Sequence, residues 1–267
     1  MTPILQDHLP DEQRAVAAAR LPAMRPVTGP WITVDSAYAG QLGEKARLMR
    51  DHRAAVCGVL PEAEEAVSEL LDVILAELPS VGFTVTTDQV TRPDGQVVTI
   101  DRNDPFLTLS QLVQEDLCLL QKQGDEHVLT AALLCFPAAW TLAEKIGRPL
   151  LRIHVPVPSY TEDIGKRVQR LFDGAQPLRP MWRANLHAWV ESDLFHVCSE
   201  SKPRPYIGIV PKFERSERQT VMRLPKTGAV LFAIHTTMVA IWLGVEGRFD
   251  PLQQRRHPIF MRDRRSP

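Results

Sequence analysis

The chain has 267 residues, a formal net charge of −1, 44% apolar and 24% charged residues, the make-up of a globular protein able to bury a sizeable core. Balanced charge argues against nucleic acid and against an anionic membrane surface as partners, and the longest apolar run, around Ala229 to Val239, is too short to cross a bilayer. Cys57, Cys118, Cys135 and Cys198 stand far apart with no C-x-x-C spacing, so neither a zinc knuckle nor a disulfide framework is expected; with no secretory leader visible, the expected compartment is the cytoplasm.

Twenty-two prolines predict many rigid turns and an irregular α+β build. Residues 1–30 show little periodicity and read as an irregular arm. A helix is expected after "WITVD", capped by Asp35 or Ser36 and running to about Arg53. In "PEAEEAVSELLDVILAELP", Val67, Leu70, Leu71, Ile74, Leu75 and Leu78 form one stripe at helical spacing, with acids in the first turn and a closing proline. "FTVTTDQVTRPDGQVVTI" alternates around Pro-Asp-Gly and predicts a hairpin. "TLSQLVQEDLCLLQKQG" reads as a second amphipathic helix, from a Thr108/Gln111 capping box to Gly124. "HVLTAALLCF" reads as a buried strand stopped by Pro137, and "AAWTLAEKIG" as a short helix. "RIHVPVPSY" then sets His154 between a strand-like apolar run and the prolines Pro156 and Pro158. Ser159 and Glu162 form a capping box for the helix "TEDIGKRVQRLF". After Gly174 the pattern is that of strands: "MWRANLHAWV", then "RQTVMRLPKTGAVLFAIHTTMV" as a hairpin turning at Pro225 to Gly228. The expected organisation is an arm over 1–30, one α+β domain over 31–245 and a basic, flexible tail over 246–267.

Four groups of residues are candidates for chemistry. His154 is either a structural histidine satisfied by backbone groups or an axial ligand to haem, the metal site that asks the protein for a single donor. Pro156 and Pro158 stiffen its segment and suit either role. In "WRANLHAW", strand alternation sends Arg183, Asn185 and His187 to one face. That face is either a solvated surface or the lining of a pocket, where Arg183 and Asn185 stabilise an anionic, oxygen-derived ligand and His187 competes with His154 for a metal. In "ERSERQTVMRLP", Glu217, Arg218 and Arg223 read as surface ion pairs or, for Glu217, as an acceptor for an amine. His235, on a strand face with Leu231, Ala233 and Thr237, reads as a core or pocket-lining histidine. Glu115 and Asp116, neighbours on the expected helix, diverge by about 100° and read as a solvated face with one cap or salt-bridge role rather than an acid–base pair. No G-x-G-x-x-G, Walker A, H-E-x-x-H or G-x-S-x-G motif is present, so electrons for any redox chemistry are expected from another protein.

The stretches "VQEDLCLL", "TAALLCFPAAWTLAEKIGRPLLRIHVPVPSY", "RANLHAW" and "ERQTVMRLPKTGAVLFAIHT", in that order, resemble the haem-dependent oxidative N-demethylase-like family, and "WITVDSAYAGQLGEKARLM" is similar to its opening. The resemblance implies a PAS-like antiparallel sheet whose face, with flanking helices, encloses a haem b. It further implies O2-dependent, N-demethylation-type oxidation of a small amine, driven by NADPH through separate flavin and iron–sulfur components, with release of formaldehyde. By this analogy His154 is the metal ligand, His187 and His235 are further cofactor-lining residues, and Arg183, Asn185, Glu217 and Arg223 serve the reaction on the opposite side. The sequence departs from the family at Leu186 and His187, where a Trp is expected after the Asn, and at Thr236 to Met238, where a Thr-Tyr is expected. The alternative reading is a non-catalytic haem PAS protein that binds a gas and signals; a third is a cofactor-free scaffold.

Overall fold

In the computed structural model, which describes residues 2–19, 24–155, 162–202 and 209–241, the segment read as an irregular arm carries a helix, α1 (Asp11–Ala17). Asp11 and Glu12 sit in its first turn, where the helix dipole favours them, and Gln13 and Val16 turn inward. After the short strand β1 (Arg25–Pro26) comes α2 (Tyr38–Asp51), the helix expected after "WITVD". Asp35 accepts the Ala37 N–H at 2.9 Å just ahead of it. Next come α3 (Arg53–Val56) and β2 (Cys57–Val59), followed by α4 (Glu64–Glu77). The expected stripe of α4 is buried from Val67 to Leu75, and Leu78 opens the 3-10 turn that Pro79 imposes.

The expected hairpin is a three-stranded meander, β3 (Thr84–Val85), β4 (Gln89–Thr91) and β5 (Val97–Thr99). The helix expected over 108–124 is corrected. Helix α5 (Pro105–Ser110) stops early, its true cap being Asp104, whose carboxylate accepts the Leu107 N–H at 3.2 Å. Strand β6 (Asp116–Gln123) follows and turns at Gly124 into β7 (Glu126–Leu133). The physical reason is burial on both sides: Leu117, Cys118, Leu119 and Leu120 are all buried, so the run lacks strand alternation and imitates a helix flank.

"AAWTLAEKIG" forms only a 3-10 turn at Leu142–Glu144. The apolar run before His154 is not strand-like but a single helical turn, α6 (Leu150–Ile153), with His154 as its C-terminal cap residue. Helix α7 (Glu162–Asp173) lies where expected; Pro156, Pro158, Ser159 and the tail fall outside the described residues. The late strands are β8 (Met181–Trp189), β9 (Phe213–Arg223) and β10 (Val230–Ala240), the last two joined by the expected turn.

Among the described residues seven strands form one antiparallel sheet in the order β1-β8-β9-β10-β6-β7-β2. Register fixes its faces, because residues directly opposite one another share a side. Arg183 lies opposite Gln219, Asn185 opposite Glu217, His187 opposite Arg215, and Glu217 in turn opposite Thr236. These side chains share the front face with Cys118, Leu120, Val221 and Val230, against which Leu150 of α6 and Phe172 of α7 pack, flanked by Ile153 and Val168. Behind the sheet, Leu117, Leu119, Leu133, Met222 and Leu231 join Leu42 of α2 and Leu70 and Ile74 of α4 in the larger core. The four cysteines are free, and no described helix is long and apolar enough to cross a membrane.

Candidate functional site

The front face of β8 and β9 carries a polar row built around Glu217, which is only 8% exposed. Asn185 Nδ2 and Gln219 Nε2 each donate to Glu217 Oε2 at 2.9 Å, and Asn185 Oδ1 accepts the Glu217 N–H at 2.8 Å. The carboxylate is thereby held from across the ladder by β8 and from along β9 itself. Arg215, 1% exposed, donates to the Phe136 carbonyl at 2.5 Å and the Leu194 carbonyl at 3.4 Å, lies 3.9 Å from Glu217 Oε1 and stacks over Trp189. Among the described residues its Nε and the Thr236 Oγ1, both buried, have no hydrogen-bond partner. Half-buried Arg183 joins none of the described hydrogen bonds or ion pairs; burial pushes its guanidinium pKa down, and its charged neighbour Glu217 opposes the shift. Buried donors without acceptors are costly, so this row is suited to a polar guest.

His154 belongs to the turn that packs on the same face. Its Nδ1 lies 2.8 Å from the Leu150 carbonyl. A carbonyl only accepts, so Nδ1 carries a proton in this contact. Burial pushes the pKa of His154 down, against the pull of that hydrogen bond.

The other candidates separate from this pair. His187 is on the front face opposite Arg215, at the end of the row. His235 lies on the back face, opposite Arg218, with Nε2 2.9 Å from Asp35 Oδ2 and Nδ1 3.7 Å from Glu115 Oε1. Arg223, six residues beyond Glu217, donates to the carbonyls of Gly228 (2.7 Å), Ala175 (2.9 Å), Phe172 (2.9 Å) and Asp173 (3.2 Å), tying the end of α7 to the hairpin turn. Arg218 donates to the Trp31 carbonyl at 2.8 Å and stacks on Trp182. The surface ion pairs expected for Glu217, Arg218 and Arg223 are therefore replaced by buried or backbone-directed bonds.

For Glu115 and Asp116 the expected salt-bridge role holds for Asp116, but the expected solvated face is corrected. Asp116 is buried 3.2 Å from the equally buried Lys45 and accepts the Cys135 and Phe136 N–H groups at 2.9 and 2.6 Å; Glu115 is buried and accepts the Thr33 N–H at 2.8 Å. Sequence reasoning missed Arg215 and Gln219. The signal was a second polar alternation, at 215, 217 and 219, matching that at 183, 185 and 187. It missed His127 as well, a buried front-face histidine whose Nδ1 bonds Gln169 at 2.9 Å and whose Nε2 has no partner.

Residues 24–243 match the family model described as haem-dependent oxidative N-demethylase, alpha subunit-like. The chain belongs to this family. The match spans His154, the polar row and both layers of the sheet, and the family's name points to oxidoreductase chemistry that depends on haem. Among the described residues no group of three or more His, Cys, Asp and Glu side chains is placed to hold a bare metal ion. A porphyrin iron, in contrast, asks for one axial donor from the protein.

Proposed function

We propose that this member of the N-demethylase family is the haem-carrying component of a monooxygenase that oxidises a small amine with O2, using electrons from a separate flavin or iron–sulfur reductase. One juxtaposition carries the reading: the sheet face that presents Arg183, Asn185 and Glu217 is the face on which the His154 turn packs. A PAS-like frame is supported by chain order, in which two strands, the His154 turn and α7 precede three strands that pair back onto the first two. His154 fits haem b in donor number, charge and tautomer, with Nε2 as the ligating nitrogen and the Nδ1–H···Leu150 bond fixing the ring. Haem, when bound, supplies the oxygen activation and the electron chemistry.

The chain's own residues do the rest. Glu217, aligned by Asn185 and Gln219, accepts the N–H of the ammonium or amine and sets its methyl group toward the front of the sheet. Arg183, on the same face, would offer N–H donors to an anionic, oxygen-derived ligand. Arg223 and His235 serve the frame: one pins α7, the other the N-terminal segment. Of the departures from the family pattern, His187 and Met238 face the row while Leu186 and Thr237 face the back, so His187 and Met238 set which amine is taken.

The test is a spectrum followed by a product assay. Protein reconstituted with hemin should give a Soret band that shifts with dithionite. With a reductase and NADPH, candidate amines should then yield formaldehyde. A haem spectrum without product from any amine would favour a gas-binding sensor; no haem spectrum at all would end the proposal.

A further inference from the structure

A helix of a single turn cannot by itself hold its last residue in place, yet α6 ends on the residue to which the proposed function assigns the iron. Four charged side chains converge there. Lys145, 4% exposed, donates from Nζ to the Ile153 carbonyl at 2.7 Å and to Glu200. Arg152 reaches the other Glu200 oxygen from both terminal nitrogens at 3.1 Å. The Glu144 carboxylate receives the Ser199 hydroxyl at 2.7 Å and the Glu200 N–H at 3.2 Å, so the backbone that carries Glu200 is itself fixed.

The Ile153 carbonyl and the His154 N–H belong to one rigid peptide plane. Lys145 holds its oxygen, while the Leu150 carbonyl receives its N–H at 3.2 Å and the imidazole Nδ1 at 2.8 Å. The plane that sets the direction of the histidine side chain is thus pinned at both edges, on one side by a residue of the connection before α6 that is itself tied to Glu200 in the loop after β8. Surface ion pairs are worth little, but Lys145 is buried, and its bond is to the backbone of the residue preceding the ligand.

We propose that Lys145, locked by Glu200 and Arg152, is the positioning residue for His154, latching the loop after β8 to the turn that presents the ligand. The inference rests on His154 being the axial donor, and the experiment separates failure of the two. Hemin affinity and Soret position are measured for the full chain, Lys145→Met, His154→Gly and the double variant, the last two with and without free imidazole; far-UV circular dichroism and the urea midpoint check folding. Orienting partners of a metal-bound histidine typically change metal affinity 10- to 100-fold, so Lys145→Met should weaken hemin binding about tenfold and shift the Soret band. When free imidazole replaces the side chain in His154→Gly, binding should no longer depend on residue 145, because an untethered ring is not steered by the backbone. An equal loss from Lys145→Met in the imidazole-rescued protein would show a general structural role and overturn the latch. Full hemin affinity and an unshifted band in Lys145→Met, with loss in His154→Gly, would also overturn it while leaving the ligand in place. Unchanged hemin binding in His154→Gly would remove the ligand assignment itself, and the latch with it.

Discussion

At the residue scale, the back face of the sheet shows how buried charge binds the N-terminal segment to the strands. Asp35 accepts from His235 at 2.9 Å, from Gln114 at 2.8 Å and from Gln6 at 3.0 Å. Burial alone would push its carboxyl up, but the His235 hydrogen bond and charge, with the two amides, outweigh it and bring the pKa down to about 2. A carboxyl depressed on folding contributes stability that is complete above its unfolded value of about 3.9 and is lost as the pH falls through about 2. The urea midpoint of the wild type should therefore drop between about pH 4 and pH 2 more steeply than that of Asp35→Asn, and parallel curves would contradict this role. Single residues were unevenly legible in the sequence. Arg183, Asn185 and Glu217 stood out because polar residues alternate along strand-like runs. Arg215 did not, because a fully buried arginine spending its donors on the Phe136 and Leu194 carbonyls is chosen by the tertiary structure.

At the scale of elements, alternation and helical stripes served well where one face is solvated and failed where neither is. Helix α4 and the β9–β10 hairpin fall where their patterns place them. Strand β6 hid inside a false helix, since both of its faces are covered, and only Gly124 marked a real boundary. That glycine has φ 60° in the β6–β7 turn, and a Cβ added there would meet nothing within 4 Å. A substitution at this site is therefore a pure backbone effect. Gly124→Ala should cost roughly 1–2 kcal/mol in urea unfolding, the usual penalty for the left-handed region, and Gly124→Asn distinctly less. Equal stability of Gly124→Ala and wild type would show that the turn relaxes to another conformation. The His154 turn illustrates the opposite limit: four residues of helix carry too little periodicity to be read, and their position depends on the Lys145 bond to Ile153 and on Leu150 packing against the sheet.

For the whole molecule, the sheet divides two jobs. Its back joins α2 and α4 in the main core; its front meets the short helices and keeps a polar row whose donors are incompletely used. This division explains why histidines of similar appearance in sequence separate in space. His235 is consumed by Asp35 behind the sheet, whereas His154, His187 and His127 belong to the front. Among these three, His154 alone stands on a helical turn, which packs on the front of the sheet through Leu150 and Ile153. The decisive measurement is hemin titration followed by absorption spectroscopy on the wild type and on the single variants His154→Ala, His187→Ala, His127→Ala and His235→Ala. The expected result is one hemin per wild-type chain, with the Soret band lost or displaced in His154→Ala alone. Retention of the wild-type spectrum in His154→Ala, with its loss in His187→Ala or His127→Ala, would contradict the assignment.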